Sequence, residues 1–214
     1  MEIPVKKSIL EDNETIAARL KEKWEKTLVL NLMSSPGAGK TTLLEKTAEK
    51  LNGKLKMAVI EGDLATRIDA ERIEKHGIPV IQINTGKGCH LNAKMVEEAS
   101  LNLPAGIDIL FIENVGNLVC PAEFSLGEDL RVILVSVPEG DEKPLKYPVI
   151  FRSASAFVIN KVDLAPYVNF SIEKAKDNAL GINSAMELFE VSCYTDAGLD
   201  EWISWLVEKR KEKK

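Results

Sequence analysis

The sequence predicts an α/β fold in which a mostly parallel central sheet carries helices on both faces. Short apolar runs alternate with amphipathic stretches along the 214 residues, an order typical of parallel strands joined by covering helices. Polar clusters follow most of the apolar runs. Because ligands bind beyond the carboxyl ends of the strands in such folds, these clusters mark the predicted binding edge of one domain.

Composition excludes several classes of protein. The net charge is −5, which gives no reason to expect nucleic acid or an anionic membrane as a partner. No apolar run approaches the roughly 20 residues of a membrane span, and Met1–Lys7 lacks the apolar segment of a signal peptide. Three widely spaced cysteines do not form a disulfide framework. We therefore expect a cytoplasmic protein.

The first predicted element is an amphipathic helix over residues 9–26. Ile16, Ala17, Leu20 and Trp24 recur at helical spacing among charged residues. The helix either covers an edge of the sheet or docks a partner. We divide the chain into an N-terminal helix or arm, residues 1–27, and a nucleotide-binding domain, residues 28–214.

A phosphate-binding loop follows. Residues 28–33 are apolar at five of six positions and predict a buried strand, residues 34–39 form a glycine-containing turn, and Lys40 begins a helix. Glycine lets backbone N–H groups approach phosphates, Lys40 reaches the terminal phosphates, and the Thr41 hydroxyl binds Mg²⁺. Ser34 stands where the P-loop pattern has glycine. The predicted phosphate ligands are Pro36, Gly37, Ala38, Gly39, Lys40, Thr41 and Thr42.

The remaining elements continue the alternation of strands and helices. Turn formers such as Asn52-Gly53 and His76-Gly77 end the helices. Residues 113–130 form a long irregular segment, and segments of this length are usually functional or mobile. Predicted strands cover residues 56–60, 78–83, 107–112, 131–137, 156–159 and 188–191. Predicted helices cover residues 40–52, 66–76, 91–102, 170–180 and 198–213.

A guanine-reading motif follows the sixth strand. Asn160, Lys161 and Asp163 match the pattern N-K-x-D. The carboxylate of Asp163 can accept from the ring N–H and the exocyclic amine of guanine, a donor pair that adenine does not present. The stem of Lys161 can lie over the base. Ser192 and Cys193, which end the next strand, either present N–H groups to the base oxygen or form an ordinary loop.

Three carboxylates near strand ends predict a Mg²⁺ site. Asp63 and Asp69 follow the second strand, and Glu113 ends the fourth. Each alone can be a cap or a solvated side chain, but their shared position near Thr41 favours Mg²⁺. Lys40, Thr41, Asp63 and Glu113 are the candidate catalytic residues. Since no glutamine or histidine obviously positions the attacking water, we expect slow intrinsic hydrolysis.

A second cluster has softer ligands. Cys89, His90 and Cys120 offer two thiolates and an imidazole, which suit Zn²⁺ or Ni²⁺. Three ligands leave a tetrahedral shell open for water or for a second subunit. We expect Cys89 and His90 to open a helix whose N-terminus, with Lys87, favours the thiolate. From residue types alone, two buried thiols and an incidental histidine remain an open alternative.

The chain resembles the HypB family, GTPases that serve nickel insertion into [NiFe]-hydrogenase. This family belongs to the dimerising P-loop NTPases of the SIMIBI type, in which two subunits meet over bound nucleotide. The run Lys-Pro-Leu-Lys-Tyr-Pro is unusually specific. The matching stretches are residues 34–42, 60–72, 85–91, 113–121, 138–148 and 160–163.

The resemblance implies a homodimer with Cys89, His90 and Cys120 at its interface as a Ni²⁺ or Zn²⁺ site. It also implies Thr41, Asp69 and Glu113 around Mg²⁺, and Asp63 in a mobile switch. GTP hydrolysis then drives nickel release towards a hydrogenase maturation partner and the hydrogenase large subunit. The N-terminal cysteine-rich motif and histidine-rich tract of some members are missing from this sequence, so nickel storage by that segment is not implied.

Three alternatives remain. The related urease nickel-delivery GTPases normally carry Cys-Pro-His, whereas Cys89 and His90 are adjacent here. A P-loop kinase would not need Asp163, and ATP turnover above GTP turnover would favour it. A signalling GTPase with structural cysteines would keep its metal stoichiometry after replacement of Cys89 and Cys120.

Overall fold

A computed structural model of the chain describes residues 5–63 and 66–213. Residues 64 and 65, which belong to the stretch 60–72 of the family resemblance, lie outside the described residues. So do the first four residues of the predicted N-terminal segment 1–27, and Lys214.

The described residues contain one seven-stranded sheet in the order β3-β2-β4-β1-β5-β6-β7. All six strand pairs are parallel, so the sheet is entirely parallel and the prediction of a mostly parallel sheet is confirmed. Each strand matches one of the seven predicted from apolar runs, with no end shifted by more than three residues. The strands are β1 (Leu28–Ser34), β2 (Met57–Asp63), β3 (Val80–Asn84), β4 (Ile109–Glu113), β5 (Leu130–Ser136), β6 (Ala156–Asn160) and β7 (Glu187–Val191).

Helices cover both faces of the sheet. Alternate residues of each buried strand point to opposite faces: Leu30 packs with α2 and α8, and Val29 packs with α1 and α4. Helices α6 and α7 cover the β5–β6 end of that second face. The helices are α1 (Val5–Lys23), α2 (Lys40–Leu51), α3 (Ile68–Glu74), α4 (Ala93–Ala99), α5 (Lys143–Lys146), α6 (Pro148–Arg152), α7 (Ile172–Leu180) and α8 (Leu199–Glu212).

Sequence analysis missed two short helices, α5 and α6. They contain four and five residues, and each has a proline in its first turn, at Pro144 and Pro148. Hydrophobic periodicity cannot be detected over so few residues, and proline is tolerated only at a helix start. Cys120–Glu123 forms a single 3₁₀ turn inside the long segment that precedes β5. None of the helices in the described part of the chain is both long and apolar enough to cross a bilayer.

Helix α1 shares a core with the sheet. Ala17, Leu20 and Trp24 are buried beside β1, β2 and β4. Gly127, in the loop before β5, lies so close that an added Cβ would sit 2.7 Å from the Cβ of Leu20. The ion pair between Arg19 and Glu97, at 3.0 Å, joins α1 to α4. These contacts bury the apolar face of α1 on the domain.

Replacing Leu20, which is 1% exposed, with alanine should lower the free energy of unfolding by about 2–5 kcal/mol, because it opens a cavity under α1. Urea denaturation measures this. Leu101→Ala, at a leucine that is 76% exposed, is the matched control and should change stability by less than about 0.5 kcal/mol. If both variants unfold like wild type, α1 is a detachable arm.

Candidate nucleotide pocket and metal cluster

Hydrogen bonds join the P-loop to the guanine-reading motif. Gly37 and Gly39 have φ of 76° and 100°, in the left-handed region that favours glycine. A Cβ at Gly39 would lie 2.5 Å from Nδ2 of Asn160, so only glycine fits there. Asn160 Nδ2 donates to the carbonyl of Ala38 at 2.9 Å, and Lys161 Nζ donates to the carbonyl of Gly37 at 2.7 Å. The two motifs therefore form one surface.

Ser34, the departure from the P-loop pattern, has a clear structural role. Its hydroxyl accepts from Lys40 Nζ at 2.9 Å and donates to the carbonyl of Ser35 at 2.6 Å. Both Ser34 and Lys40 are buried. The serine thus holds the lysine at the mouth of the loop. Lys143, from α5, donates to the Ser35 hydroxyl at 3.2 Å and adds a second cation to this end of the pocket.

The opposite end of the pocket is acidic. Thr41 Oγ1 donates to Glu113 Oε1 at 2.9 Å, while Oε2 of Glu113 is buried and has no hydrogen-bond partner among the described residues. Burial raises the pKa of Glu113 to about 7, although the nearby Lys40 and the Thr41 hydroxyl oppose this. An unpaired carboxylate oxygen beside a threonine hydroxyl fits a hard cation, and Mg²⁺ takes such oxygen ligands.

Sequence reasoning missed Glu61. It lies opposite Glu113 on the neighbouring strand β2 and is 2% exposed. Burial, followed by the negative charge of Glu113, raises the pKa of Glu61 to about 8, and its Oε2 also has no hydrogen-bond partner within the described chain. The available signal was a glutamate directly after the apolar run of β2, but only the pairing of β2 with β4 places it in the pocket.

Asp63 and Asp69 line the same cavity but have local partners. Asp63 Oδ2 accepts from the amide and the hydroxyl of Thr66, both at 2.9 Å. Asp69 pairs with Arg72 at 3.1 Å, and Arg72 also donates to Thr42. The cavity measures about 420 Å³ and is lined by the P-loop, the end of β2, α3 and the residues that follow β4. The structure therefore brings Lys40, Thr41, Asp63, Asp69 and Glu113 to the wall of one cavity.

A second cavity, of about 350 Å³, adjoins the first and shares Gly39, Thr42 and Lys161 with it. Asp163 and Cys193 line it. We call the two together the nucleotide pocket. Two adjoining compartments, one with phosphate ligands and one with the N-K-x-D carboxylate, match the two parts of a nucleotide.

Ser192 contributes differently from expectation. Its amide N–H donates to the carbonyl of Ala197 at 3.0 Å and is therefore used within the loop. Its hydroxyl donates to Asp163 Oδ1 at 2.5 Å and so orients the Asp163 carboxylate. The next residue, Cys193, lines the second cavity, and burial raises the pKa of its thiol to about 11.

Cys89, His90 and Cys120, here called the metal cluster, converge. One ligand atom from each lies within 4.8 Å of the others, and Cys89 Sγ is 3.5 Å from His90 Nδ1. The His90 ring stacks on Phe124 with centroids 4.1 Å apart, and burial lowers the pKa of His90. A lowered pKa keeps the imidazole neutral, which is the form that binds metal.

One detail of the predicted metal cluster is wrong. Helix α4 begins at Ala93, with Asn92 as its N-cap, so Cys89 and His90 lie in the loop before it and do not open the helix. The pKa of the Cys89 thiol is raised by its hydrogen bond with Cys120 and by burial, and is not lowered by a helix terminus. Helix α4 begins only at Ala93 because the Asn92 side chain accepts from the Met95 amide and fixes the start of the helix there.

Comparison with known proteins decides the family. A family model described as CobW/HypB/UreG, nucleotide-binding domain, matches residues 28–190. The hydrogenase maturation factor HypB of Escherichia coli strain K12 is 49% identical over 211 residues, which cover 97% of this chain and 73% of that protein. The chain belongs to the HypB family.

Other HypB proteins agree. The hydrogenase/urease maturation factor HypB of Helicobacter pylori strain 26695 is 41% identical over 99% of this chain and 89% of its own length. The crystal structure of H. pylori HypB in complex with nickel superposes with a TM-score of 0.90 at 42% identity, covering 94% of this chain and 96% of that one. HypB of Archaeoglobus fulgidus gives a TM-score of 0.88 at 40% identity, covering 94% and 99%. The predicted family and the predicted P-loop fold are confirmed.

The thiols of this HypB protein should react in a fixed order with iodoacetamide at pH 8. With its pKa raised to about 11, only roughly one Cys193 in a thousand is a thiolate at that pH, so alkylation there should be slow and should rise with pH. Cys89 is exposed and should react first. Peptide mass spectrometry over time measures the order, and equal rates for both cysteines would contradict the burial of Cys193.

Proposed function

We propose that this HypB protein is a GTP-hydrolysing metallochaperone that assists nickel insertion into [NiFe]-hydrogenase. The observation that carries the proposal is the convergence of Cys89, His90 and Cys120 beside the nucleotide pocket. Cys89 and His90 follow β3, Cys120 follows β4, and the residues after β4 also line the pocket. The names of the E. coli and H. pylori relatives, and the nickel in the H. pylori crystal structure, support the same function.

The nucleotide pocket supplies the binding groups for GTP. We assign the segment from Pro36 to Thr42, with the backbone amides of Gly37, Ala38, Gly39, Lys40, Thr41 and Thr42, to the phosphates, and Lys40 would exchange its bond to Ser34 for a phosphate oxygen. Asp163, oriented by Ser192, accepts the two donors of guanine. Asn160 and Lys161 brace the loop. We assign the Cys193 amide, which donates to no acceptor among the described residues, to the base oxygen.

Thr41, Glu113 and Asp69 are the residues that would hold Mg²⁺, which neutralises charge on the terminal phosphates. Thr41 and Glu113 are in contact, whereas Asp69 first has to leave Arg72. Asp63 lies where β2 ends, and we assign it to the switch that responds to the third phosphate. Lys40, Thr41, Asp63 and Glu113 then stabilise the charge that develops during hydrolysis.

The metal cluster would bind nickel or zinc as cargo. Three protein ligands leave a tetrahedral shell incomplete, and a second subunit meeting this face can complete it. Val119, beside Cys120, is 61% exposed and offers apolar surface for that homodimer. Hydrolysis would alter the dimer and so the coordination of the metal, which then passes to a hydrogenase maturation partner and the hydrogenase large subunit. We place this exchange in the cytoplasm, where the free thiols stay reduced.

Nickel delivery to urease is a second candidate, favoured by the name of the H. pylori relative, which refers to both enzymes. Supplying nickel-loaded protein to the apo forms of both enzymes separates the two candidates. Activation of apo-hydrogenase above apo-urease supports the main proposal, and the reverse supports the second.

Replacing Asp163 with asparagine should weaken GTP binding roughly 10- to 100-fold, because an amide donor then faces a base donor and a charge-assisted hydrogen bond is lost. Fluorescence titration with a labelled GTP measures the change. Asp177→Asn, on the exposed side of α7, is the matched control and should bind like wild type. Unchanged affinity in Asp163→Asn would mean that the base lies elsewhere.

Cys89→Ala and Cys120→Ala should each abolish stoichiometric binding of Ni²⁺ or Zn²⁺, because two ligands rarely hold a structural metal. Cys193→Ala, at the third cysteine, should keep the wild-type stoichiometry. Equilibrium dialysis followed by elemental analysis gives the number of ions per chain. Wild-type stoichiometry in all three variants would favour a signalling GTPase with structural cysteines.

A further inference from the structure

Asn114 joins the nucleotide pocket to the metal cluster. It follows Glu113 at the end of β4 and is 1% exposed. Its Oδ1 accepts from the Leu91 amide at 3.1 Å and from the Val115 amide at 3.0 Å, and its Nδ2 donates to Asn31 at 3.3 Å. The Asn114 side chain therefore uses its hydrogen bonds on two backbone amides and on the buried side chain of Asn31.

Leu91, whose amide donates to Asn114 Oδ1, directly follows His90 of the metal cluster. Its side chain is fully buried and lies against Gly62 of β2. A Cβ added at Gly62 would come within 2.9 Å of Leu91 side-chain atoms, so the two are in close contact. Gly62 stands between Glu61 and Asp63 in the wall of the nucleotide pocket. Leu91 thus contacts two residues that line the pocket, Asn114 through its amide and Gly62 through its side chain.

We propose that Asn114 is a positioning residue that transmits the state of the bound nucleotide to the metal cluster through Leu91. This inference rests on the proposed function. When β4 or β2 shifts on hydrolysis, the buried bond obliges Leu91, and with it His90, to follow, because breaking it would leave a buried donor unpaired. By contrast, a bond to the backbone of the cluster itself, from Asn117 Nδ2 to the Cys89 carbonyl at 3.3 Å, is exposed and tolerates movement.

Asn13 provides a matched control on the same segment. It is also a buried asparagine, 5% exposed, and its Oδ1 accepts from the Ala93 amide at 2.8 Å, two residues beyond Leu91. Its Nδ2 donates to the carbonyl of Ser125, away from the nucleotide pocket. Alanine at position 13 or 114 therefore leaves one amide of the segment 91–93 unpaired, but only Asn114 also lines the nucleotide pocket.

The experiment measures the Kd for Ni²⁺ of the full chain, saturated first with GDP and then with a nonhydrolysable GTP analogue. The ratio of the two Kd values should lie in the range of roughly 5- to 150-fold for wild type, the usual size of such coupling. Asn114→Ala should bring the ratio to within about twofold of one, and Asn13→Ala should keep the wild-type ratio. Saturation removes any effect of the variants on nucleotide affinity.

A wild-type ratio in Asn114→Ala, or equal losses in both variants, would overturn the role of Asn114. If Asn114→Ala does not fold, Asn114→Ser, whose shorter side chain cannot reach Leu91, takes its place with the same expectation. A ratio of one in wild type would instead contradict the coupling in the proposed function. Failure of the chaperone proposal is therefore distinguishable from failure of this inference.

Discussion

The site depends on the parallel pairing of β4 between β1 and β2. Leu32 of β1 and Glu61 of β2 both stand opposite Glu113, and the Asn114 amide donates to the Leu32 carbonyl at 3.0 Å. Since parallel strands end at the same edge, this register brings the P-loop, the acidic groups and the loop that holds Cys120 to one place. A shift of one residue would turn Glu113 away from Thr41.

The acidic groups at this edge lower the stability of the fold but supply the binding site. Glu61 and Glu113 are buried carboxylates with unpaired oxygens in the described part of the chain, and burial of such groups is unfavourable. Both have raised pKa values, about 8 and 7, chiefly because burial disfavours the charged carboxylate, and for Glu61 also because of the negative charge of Glu113, so protonation relieves part of this electrostatic cost. A bound cation would relieve it further, so ligand binding and stability are linked at this edge.

Local sequence predicted the parts of the site that depend on local chemistry. The P-loop and N-K-x-D segments each carry their geometry within a few residues, and the seven strands follow from apolar runs. The roles of Glu61, Asn114 and the Ser192 hydroxyl come from strand register and from contacts between distant segments, which residue patterns do not encode. Cys89 lies in a loop, and not in a helix, because Asn92 is the N-cap at which α4 begins.

The metal cluster also combines features that the sequence predicted with features that only the structure shows. Residue types alone left a metal site and incidental thiols both open, and the family resemblance favoured the metal. The structure adds convergence of the three side chains within 4.8 Å and a stacked imidazole whose pKa is lowered by burial. It also adds the short path through Leu91 and Asn114 to the nucleotide pocket, which neither motif could predict.

The central claim is that one rigid sheet edge makes nucleotide and metal binding interdependent. Linkage is reciprocal, so the most direct test is calorimetric titration of the GTP analogue and of GDP into metal-free and nickel-loaded protein. We expect nickel to change the affinity ratio of the two nucleotides by roughly 5- to 150-fold, the same factor by which the nucleotides change nickel affinity. Identical nucleotide affinities with and without nickel would contradict it.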